Sequence, residues 1–181
     1  GVILLSLIAL PNRRSDFYFT VSRLVPYKKI DLIAEAFAKM PDKQLYIAGI
    51  GPEYKKIKYI ATPNIHLLGY LPIDEVKRYM SEAKAFVFAA DEDFGIAPVE
   101  AQATGTPVIC YAKGGILETV TENVSGVYFY EQTAESITKA IEKFETMSFA
   151  PRIVRKNAMK FSSDKFRENI STFIKEVMEK N

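Results

Sequence analysis

The sequence has little of several residue types that build common kinds of site. Its 181 residues contain one histidine, one cysteine and no tryptophan. The lone cysteine, Cys110, excludes an internal disulfide, and its apolar neighbours predict a small buried side chain. A chain without disulfides is typical of the cytoplasm, which we expect to be its compartment. His66 lies within a predicted strand and is expected to be structural. No residues have metal-ligand spacing, so we predict neither a metal nor a cofactor.

Strong charge of either sign is also missing. The formal net charge is +2, which excludes the electrostatic footprint of a nucleic-acid-binding protein. The last thirty residues are rich in Lys and Arg, but acids are interspersed among them. A solvated helix face explains that pattern better than a binding patch.

A long apolar run is absent as well. Residues 2–10 are strongly apolar, but about 20 apolar residues are needed to cross a bilayer. This run also lacks the charged start of a signal peptide. We interpret residues 1–15 as an N-terminal arm or interdomain segment. Because the chain begins with Gly1 rather than Met, we expect an excised piece of a longer protein, in which the arm packs on the missing part or is disordered.

The sequence does contain a regular alternation of short apolar runs with segments of helical periodicity. The apolar runs cover residues 17–21, 45–48, 65–68, 85–89, 108–111 and 127–129. Each run is continuous rather than alternating, which predicts strands buried on both faces. The alternation predicts an α/β fold, a doubly wound, Rossmann-like parallel sheet of about six strands, in one domain of residues 16–181. A C-terminal helix is expected to follow Ser162 or Ser163.

In such sheets, ligands bind beyond the carboxyl ends of the strands, so the loops there are the places where a site is expected. The first loop carries Arg23 and Lys28, whose donors suit a diphosphate. Basic residues are common in surface loops, and alone this pair favours ordinary solvation. Glycines follow three other strands, where close backbone approach or a simple turn explains them: Gly49, Gly51, Gly69, Gly114 and Gly115.

The loop after the fourth strand is the most informative. Asp91, Glu92 and Asp93 precede a helix that is predicted to begin near Gly95. Free N–H groups at a helix N-terminus form an anion site. Glu100 lies one turn further and can point at the same pocket. Carboxylates accept hydrogen bonds from hydroxyl pairs, so acids beside a phosphate site indicate a sugar and a ribose. Simple capping of the helix by Glu92 and Asp93 is the alternative.

Six motifs occur together in the order and spacing of a known family. They are Ser22-Arg23-Leu24-x3-Lys28, Gly49-x-Gly51-Pro52-Glu53, Leu68-Gly69-Tyr70, Glu92-x-Phe94-Gly95-x4-Glu100-Ala101, Gly105-Thr106-Pro107-Val108-Ile109 and Gly114-Gly115-x2-Glu118. With them, the chain resembles the C-terminal, donor-binding domain of the retaining glycosyltransferases of GT-B fold. In that family, Glu92 and Glu100 correspond to the E-x7-E pair. The resemblance runs from about residue 17 to residue 126, and more loosely to the end.

The resemblance implies a role for each matching residue. Arg23 and Lys28 would neutralise the donor diphosphate and stabilise it as the leaving group, and Glu92 would hold hydroxyls of the transferred sugar. These three would form the catalytic set. The other donor contacts would be backbone N–H groups of Gly95, Ile96 and Ala97 at the phosphates and sugar, Glu100 at the ribose and Leu71 at the base. No obligatory metal would take part.

Within this family, the chain looks most like the bacterial or archaeal mannosyltransferases of surface-polysaccharide assembly. The residues that carry this likeness are 23–28, 92–102 and 113–115. The implied donor is GDP-mannose, with a UDP-sugar as the alternative. Asp93 and Ser22 each replace a usual glycine, but neither change removes a ligand group. Lys29 stands where glycine is frequent and is expected to be a solvated neighbour.

The resemblance also implies what lies outside the chain. The acceptor, a saccharide or a lipid-linked molecule, would bind the N-terminal domain, which is absent here. A lipid-linked acceptor would bring the full enzyme to the inner face of the membrane as a peripheral protein. We therefore expect this chain to bind a nucleoside diphosphate weakly and to transfer no sugar alone. Two other readings are a sugar-nucleotide epimerase, whose acid–base residues we do not find, and a non-catalytic nucleotide-binding α/β module.

Overall fold

The computed structural model describes Leu10 and residues 14–161. In this part of the chain, strands and helices alternate. The strands are β1 Phe17–Val21, β2 Gln44–Ala48, β3 Ile65–Gly69, β4 Ala85–Phe88, β5 Val108–Tyr111 and β6 Gly126–Phe129. The helices are α1 Ile30–Ala38, α2 Tyr54–Ile60, α3 Ile73–Glu82, α4 Ile96–Ala103, α5 Ile116–Thr119, α6 Ala134–Glu145 and α7 Pro151–Ala158, with short 3₁₀ turns at Pro26–Lys28 and Met159–Phe161. The predicted helix after Ser162 lies outside the described residues.

The six strands form one parallel sheet in the order β3-β2-β1-β4-β5-β6. The Rossmann-like α/β fold predicted from the alternation is therefore confirmed. The strand order reverses between β1 and β4, which are neighbours in the sheet although three helices separate them along the chain. Such a switch point leaves a crevice at the carboxyl ends of the two strands, because their connections leave in opposite directions.

The sheet carries an apolar core on each face. On one face, α1, α2 and α6 cover a cluster that includes Phe37, Ile57 and Ile141. On the other face, α3, α4 and α5 cover a cluster that includes Met80 and Phe86. The central strands are buried on both faces because their side chains are apolar at successive positions, without alternation. Cys110 is fully buried in β5, as predicted, and burial raises the pKa of its thiol.

Two features of the described fold differ from the prediction. The edge strand β3 is not buried on both faces, since four of its five residues are only partly buried. An edge strand has one neighbour, and its outer side meets solvent. The second feature is α7, which the sequence analysis did not predict. It packs against α4 through Val99, Ala103 and Ala158. Within the described residues, each helix is too short or too polar to cross a bilayer.

The segment before β1 contacts the edge of the sheet chiefly through Arg14. Arg14 lies in the predicted N-terminal arm and donates hydrogen bonds to the carbonyls of Ser81, Ala83 and Thr104 and to Oγ1 of Thr106. Burial lowers the pKa of its guanidinium to about 10. This contact ties the start of the described chain to the amino-terminal edge of the sheet, far from the switch point.

Candidate functional site

The loops after β1 and β4 meet at the switch point through an ion pair. Lys28 ends a 3₁₀ turn, and its Nζ donates a hydrogen bond to Oε1 of Glu92. Both side chains are largely buried, with 12% of Lys28 and 21% of Glu92 exposed. The chain leaves the turn through Lys29, whose φ of 58° is left-handed and explains why glycine suits that position. Two residues that the sequence analysis placed in one site are thus in direct contact.

Arg23 lies on the same loop as Lys28, directly after β1. Its side chain is partly buried, and it makes no hydrogen bond or ion pair with any residue in the part of the chain that the structure describes. The neighbouring backbone is fixed, because Leu24 donates its N–H to the carbonyl of Ile50 over 2.9 Å. A guanidinium on a fixed backbone without an internal partner is available to an external anion.

Helix α4 begins directly beyond the acidic residues of the loop after β4. Its N-cap residue is Gly95, and no side chain caps the helix. Capping by Glu92 or Asp93, the alternative considered from the sequence, is therefore not what the structure shows. The first N–H groups of a helix, here those of Ile96 and Ala97, have no acceptor within the helix. Together with the helix dipole, they form an anion-binding end at the mouth of the sheet.

Glu100 lies one turn into α4, four residues after Ile96 and three after Ala97. It is buried, and neither carboxyl oxygen has a hydrogen-bond partner among the residues described. Burial raises the pKa of Glu100 to about 7. An unpartnered buried carboxyl group is unusual, since leaving such a group unsatisfied costs about 1–3 kcal/mol. Such a group suits a place where a ligand donates hydrogen bonds better than it suits an apolar core.

The glycines of these loops serve close packing between neighbouring loops. A Cβ on Gly49 or Gly51 would overlap the backbone of the loop after β1, and one on Gly114 or Gly115 would overlap the backbone of the loop after β4. Glu92 also forms a parallel bridge with Gly114. The carbonyl of Glu92 accepts the N–H of Gly115 over 2.7 Å. These glycines therefore hold the loops of the cations and acids in place.

Leu71 lies on the loop after β3, further along the same edge of the sheet. It is partly buried and packs against the core on the α3 and α4 face. The loop is held to its neighbour, since the Gly49 N–H donates to the carbonyl of Gly69 over 2.8 Å. His66 is structural, as predicted: it hydrogen-bonds Gln44 and stacks on Tyr46, with 4.6 Å between ring centroids.

The sequence analysis missed a buried polar network that positions α4 and α5. Nδ2 of Asn157, on α7, donates to Oε1 of Gln102 over 2.7 Å and to the carbonyl of Thr119 over 2.9 Å. Gln102 in turn donates to the carbonyl of Pro98 in the first turn of α4. The available signal was Gln102 itself, which with Glu100 is one of two polar residues on a helix whose other side chains are apolar.

The acids near the site do not form a metal-binding group. Asp91 and Asp93 are exposed, and Lys113 Nζ lies 3.7 Å from Oδ2 of Asp91. No set of three or more His, Cys, Asp or Glu side chains is placed to hold a metal ion in residues 14–161. The chemical features of the site are thus two cations, an open helix N-terminus and two carboxyl groups, which together suit a phosphorylated ligand rich in hydroxyls.

Comparison with known proteins agrees with this description. The family model for the group 1 glycosyl transferases matches residues 9–161, most of the chain. The chain belongs to this family. As a group 1 glycosyl transferase domain, it is similar to the D-inositol 3-phosphate glycosyltransferase of Mycolicibacterium gilvum, with 36% identity over 135 residues, 65% of this chain and 30% of that protein.

A second curated relative carries a donor in its name. It is the GDP-mannose-dependent monoacylated alpha-(1-6)-phosphatidylinositol monomannoside mannosyltransferase of Corynebacterium glutamicum, with 36% identity over 115 residues, 55% of this chain and 30% of that protein. The chain therefore spans about a third of the length of the curated relatives it matches.

Solved glycosyltransferases share the fold of this group 1 domain. A lipopolysaccharide outer core galactosyltransferase in its apo form has a TM-score of 0.73, with 17% identity over 91% of this chain and 50% of that one. The catalytic domain of the cholesterol-alpha-glucosyltransferase from Helicobacter pylori has a TM-score of 0.68, with 21% identity over 82% of this chain and 100% of that one. At such identities, the likeness shows the fold alone.

Proposed function

We propose that this chain is the donor-binding domain of a retaining glycosyltransferase that transfers mannose from GDP-mannose to a saccharide or lipid-linked acceptor. The observation that carries the proposal is the meeting of Lys28 and Glu92 across the switch point, beside the open N-terminus of α4. A sugar diphosphate has an anionic end and a hydroxyl end joined by one bond. A cation and a carboxylate in contact match the two sides of that bond.

The cations would act on the leaving group. When the bond between the sugar C1 and the β-phosphate oxygen breaks, negative charge grows on the diphosphate. Arg23 and Lys28 would stabilise that charge, and each charge-assisted hydrogen bond contributes about 1.5–3 kcal/mol. The N–H groups of Gly95, Ile96 and Ala97 would bind the phosphates and the nearest sugar oxygen. Interactions that strengthen as charge develops lower the barrier rather than only the Kd.

The carboxyl groups would orient the two sugars of the donor. Glu92 would accept hydrogen bonds from the transferred hexose, and Glu100 from the paired ribose hydroxyls. Ribose would supply the donors that both oxygens of Glu100 lack among the described residues. Leu71, partly buried on the neighbouring loop, would contact the base.

The proposal of retention is supported by the sequence resemblance, and the proposal of mannose by the name of one relative. Glu92 and Glu100 fit the E-x7-E spacing of the retaining enzymes that the sequence resembles. One curated relative has a name that states dependence on GDP-mannose. A UDP-sugar is the second candidate donor, because other relatives of this fold were solved with UDP. The acceptor would bind a part of the enzyme beyond this chain, in the cytoplasm.

Calorimetric titration with GDP-mannose, UDP-glucose and ADP-glucose tests the proposal. We expect binding of GDP-mannose in preference to the others, and no transfer of sugar to mannoside acceptors by this chain alone. Arg23→Ala and Lys28→Ala should each abolish diphosphate binding, while Lys39→Ala, which removes an exposed lysine at the end of α1, should leave it unchanged. Unchanged affinity in the first two variants would contradict the site. No binding of any nucleotide would favour a non-catalytic role.

A further inference from the structure

We propose that Glu92 makes the site discriminate between the sugar nucleotide and the free nucleoside diphosphate, through its ion pair with Lys28. This inference rests on the proposed function, since it assumes that the site binds a nucleoside diphosphate sugar. As a consequence of the ion pair, the site binds the donor in preference to the nucleoside diphosphate that remains after transfer.

Lys28 and Glu92 form an ion pair with each other in the described structure. Lys28 Nζ donates to Glu92 Oε1, and most of both side chains is shielded from water. A phosphate that binds Lys28 must therefore compete with Glu92. Separating a largely buried pair leaves the partner without its counter-ion, which is costly when nothing replaces it.

Free nucleoside diphosphate offers Glu92 nothing in place of Lys28. Its terminal phosphate can bind Lys28, but it has no hydrogen-bond donor for the Glu92 carboxylate that Lys28 releases. The terminal phosphate also carries about one more negative charge than a phosphate diester near neutral pH. Glu92 would then face a like charge at close range in a partly buried site, where repulsion is weakly screened.

The sugar nucleotide meets both requirements at once. Its sugar caps the terminal phosphate and removes the extra negative charge. The same sugar carries hydroxyl groups next to the phosphate, and these can donate to the released carboxylate. Lys28 and Glu92 thus exchange one ion pair for two ligand contacts, one to each side of the scissile bond.

Backbone contacts fix the position of Glu92, so it cannot move away from a phosphate bound at Lys28. Its carbonyl accepts the N–H of Gly115, and it bridges to Gly114, whose lack of a Cβ permits the close approach. The Lys28 backbone is held as well, since its N–H donates to the carbonyl of Val25 over 3.1 Å. These contacts hold the backbone of both loops and so keep the Glu92 carboxylate beside Lys28, where the phosphate is proposed to bind.

The test compares the affinities for GDP and GDP-mannose in the unmutated chain and in Glu92→Gln. The amide keeps the shape and accepts hydrogen bonds, but it has no charge to pair with Lys28 or to repel a phosphate. We expect GDP to bind more tightly to the variant than to the unmutated chain. The Kd for GDP divided by the Kd for GDP-mannose should fall by about tenfold, equivalent to about 1.4 kcal/mol. The matched control is Asp91→Asn, which removes an exposed charge from the same loop and should leave the ratio unchanged.

A second measurement uses the unmutated chain only. The β-methyl ester of GDP has the lower charge of a diester but no sugar hydroxyls, so it should bind more tightly than GDP and less tightly than GDP-mannose. An unchanged ratio in Glu92→Gln, or a methyl ester that binds no better than GDP, would overturn the inference while nucleotide binding itself stood. If the unmutated chain bound neither GDP nor GDP-mannose, both this inference and the proposed GDP-mannose site would fall.

Discussion

Charged side chains gather at both edges of the sheet, but their partners differ. At the amino-terminal edge, Glu145 accepts hydrogen bonds from Tyr18, Lys43 and Lys84 at 2.5–3.3 Å, and Lys84 also pairs with Asp16 at 3.1 Å. These residues line a cavity of about 120 Å³. At the carboxyl-terminal edge, Arg23 and Glu100 have no side-chain partner in the described chain.

The difference distinguishes a structural cluster of charges from the proposed binding site. Both edges have a mixture of acids and bases, so composition does not distinguish them. At the amino-terminal edge each charge satisfies another, and little remains for a ligand. At the carboxyl-terminal edge, the groups without partners are those that a diphosphate and a ribose would satisfy. The predictions below each test one side of this contrast.

The largest expected effect concerns Glu100 and pH. Its folded pKa is raised to about 7 from 4.5, so between these values the folded chain holds a proton that the unfolded chain has lost. Stability therefore falls as pH rises from about 4.5 to about 7, and then levels off. Relative to Glu100→Gln, the unmutated chain should lose roughly 3 kcal/mol of unfolding free energy across this window. Urea denaturation at several pH values measures the difference.

The folded chain without ligand favours the protonated form of Glu100, whereas donor binding should favour the ionised form. Ribose hydroxyls that donate to Glu100 favour the ionised carboxylate, so donor affinity should weaken as pH falls below about 7. The same decline should be absent in Glu100→Gln. A stability difference between the two chains that does not change with pH would contradict the account of this residue.

The second effect concerns the paired edge. Glu145→Ala removes the acceptor of the buried Tyr18 hydroxyl, whose pKa is raised by burial and by this hydrogen bond. We expect a loss of about 1–3 kcal/mol in unfolding free energy, with donor affinity unchanged. Glu145→Gln keeps an acceptor and should lose less. Weaker donor binding in either variant, at a temperature where both are folded, would contradict the claim that the amino-terminal cluster has only a structural role.

The smallest effect concerns the glycines that hold the loops. Gly114 and Gly69 both have left-handed backbones, with φ of 74° and 66°. A Cβ would overlap Glu92 at Gly114, but it would meet nothing within 4 Å at Gly69. Each alanine variant should cost about 1 kcal/mol for backbone strain. Only Gly114→Ala should also weaken donor binding several-fold, because it displaces Glu92. Equal affinities in the two variants would argue against this role.

Much of the fold could be predicted from the sequence. The six apolar runs coincide with the six strands to within a residue at each end, because buried parallel strands require continuous apolar segments. Helix α7 was missed, since its buried face consists of Val154, Asn157 and Ala158 and forms no apolar stripe. The asparagine on that face is buried through hydrogen bonds to other elements, which local periodicity does not reveal.

The members of the candidate site were proposed from the sequence, but their contacts with one another were not. Residues after β1 and β4 were expected at one edge, yet only the strand order shows that these strands are neighbours. The pairing of Lys28 with Glu92 follows from that order. The buried state of Glu100 also depends on tertiary packing. The assigned roles of all the candidate site residues are predictions, which a bound donor would test.

The most direct test of the contrast is a map of backbone NMR shifts during titration with GDP-mannose. The account predicts that shifts concentrate at the carboxyl-terminal edge, in residues 22–29, 69–72, 91–100 and 113–116. The signals of Tyr18, Lys43, Lys84 and Glu145 should stay in place. Shifts centred on those four residues, or none at the carboxyl-terminal edge at saturating donor, would contradict the account.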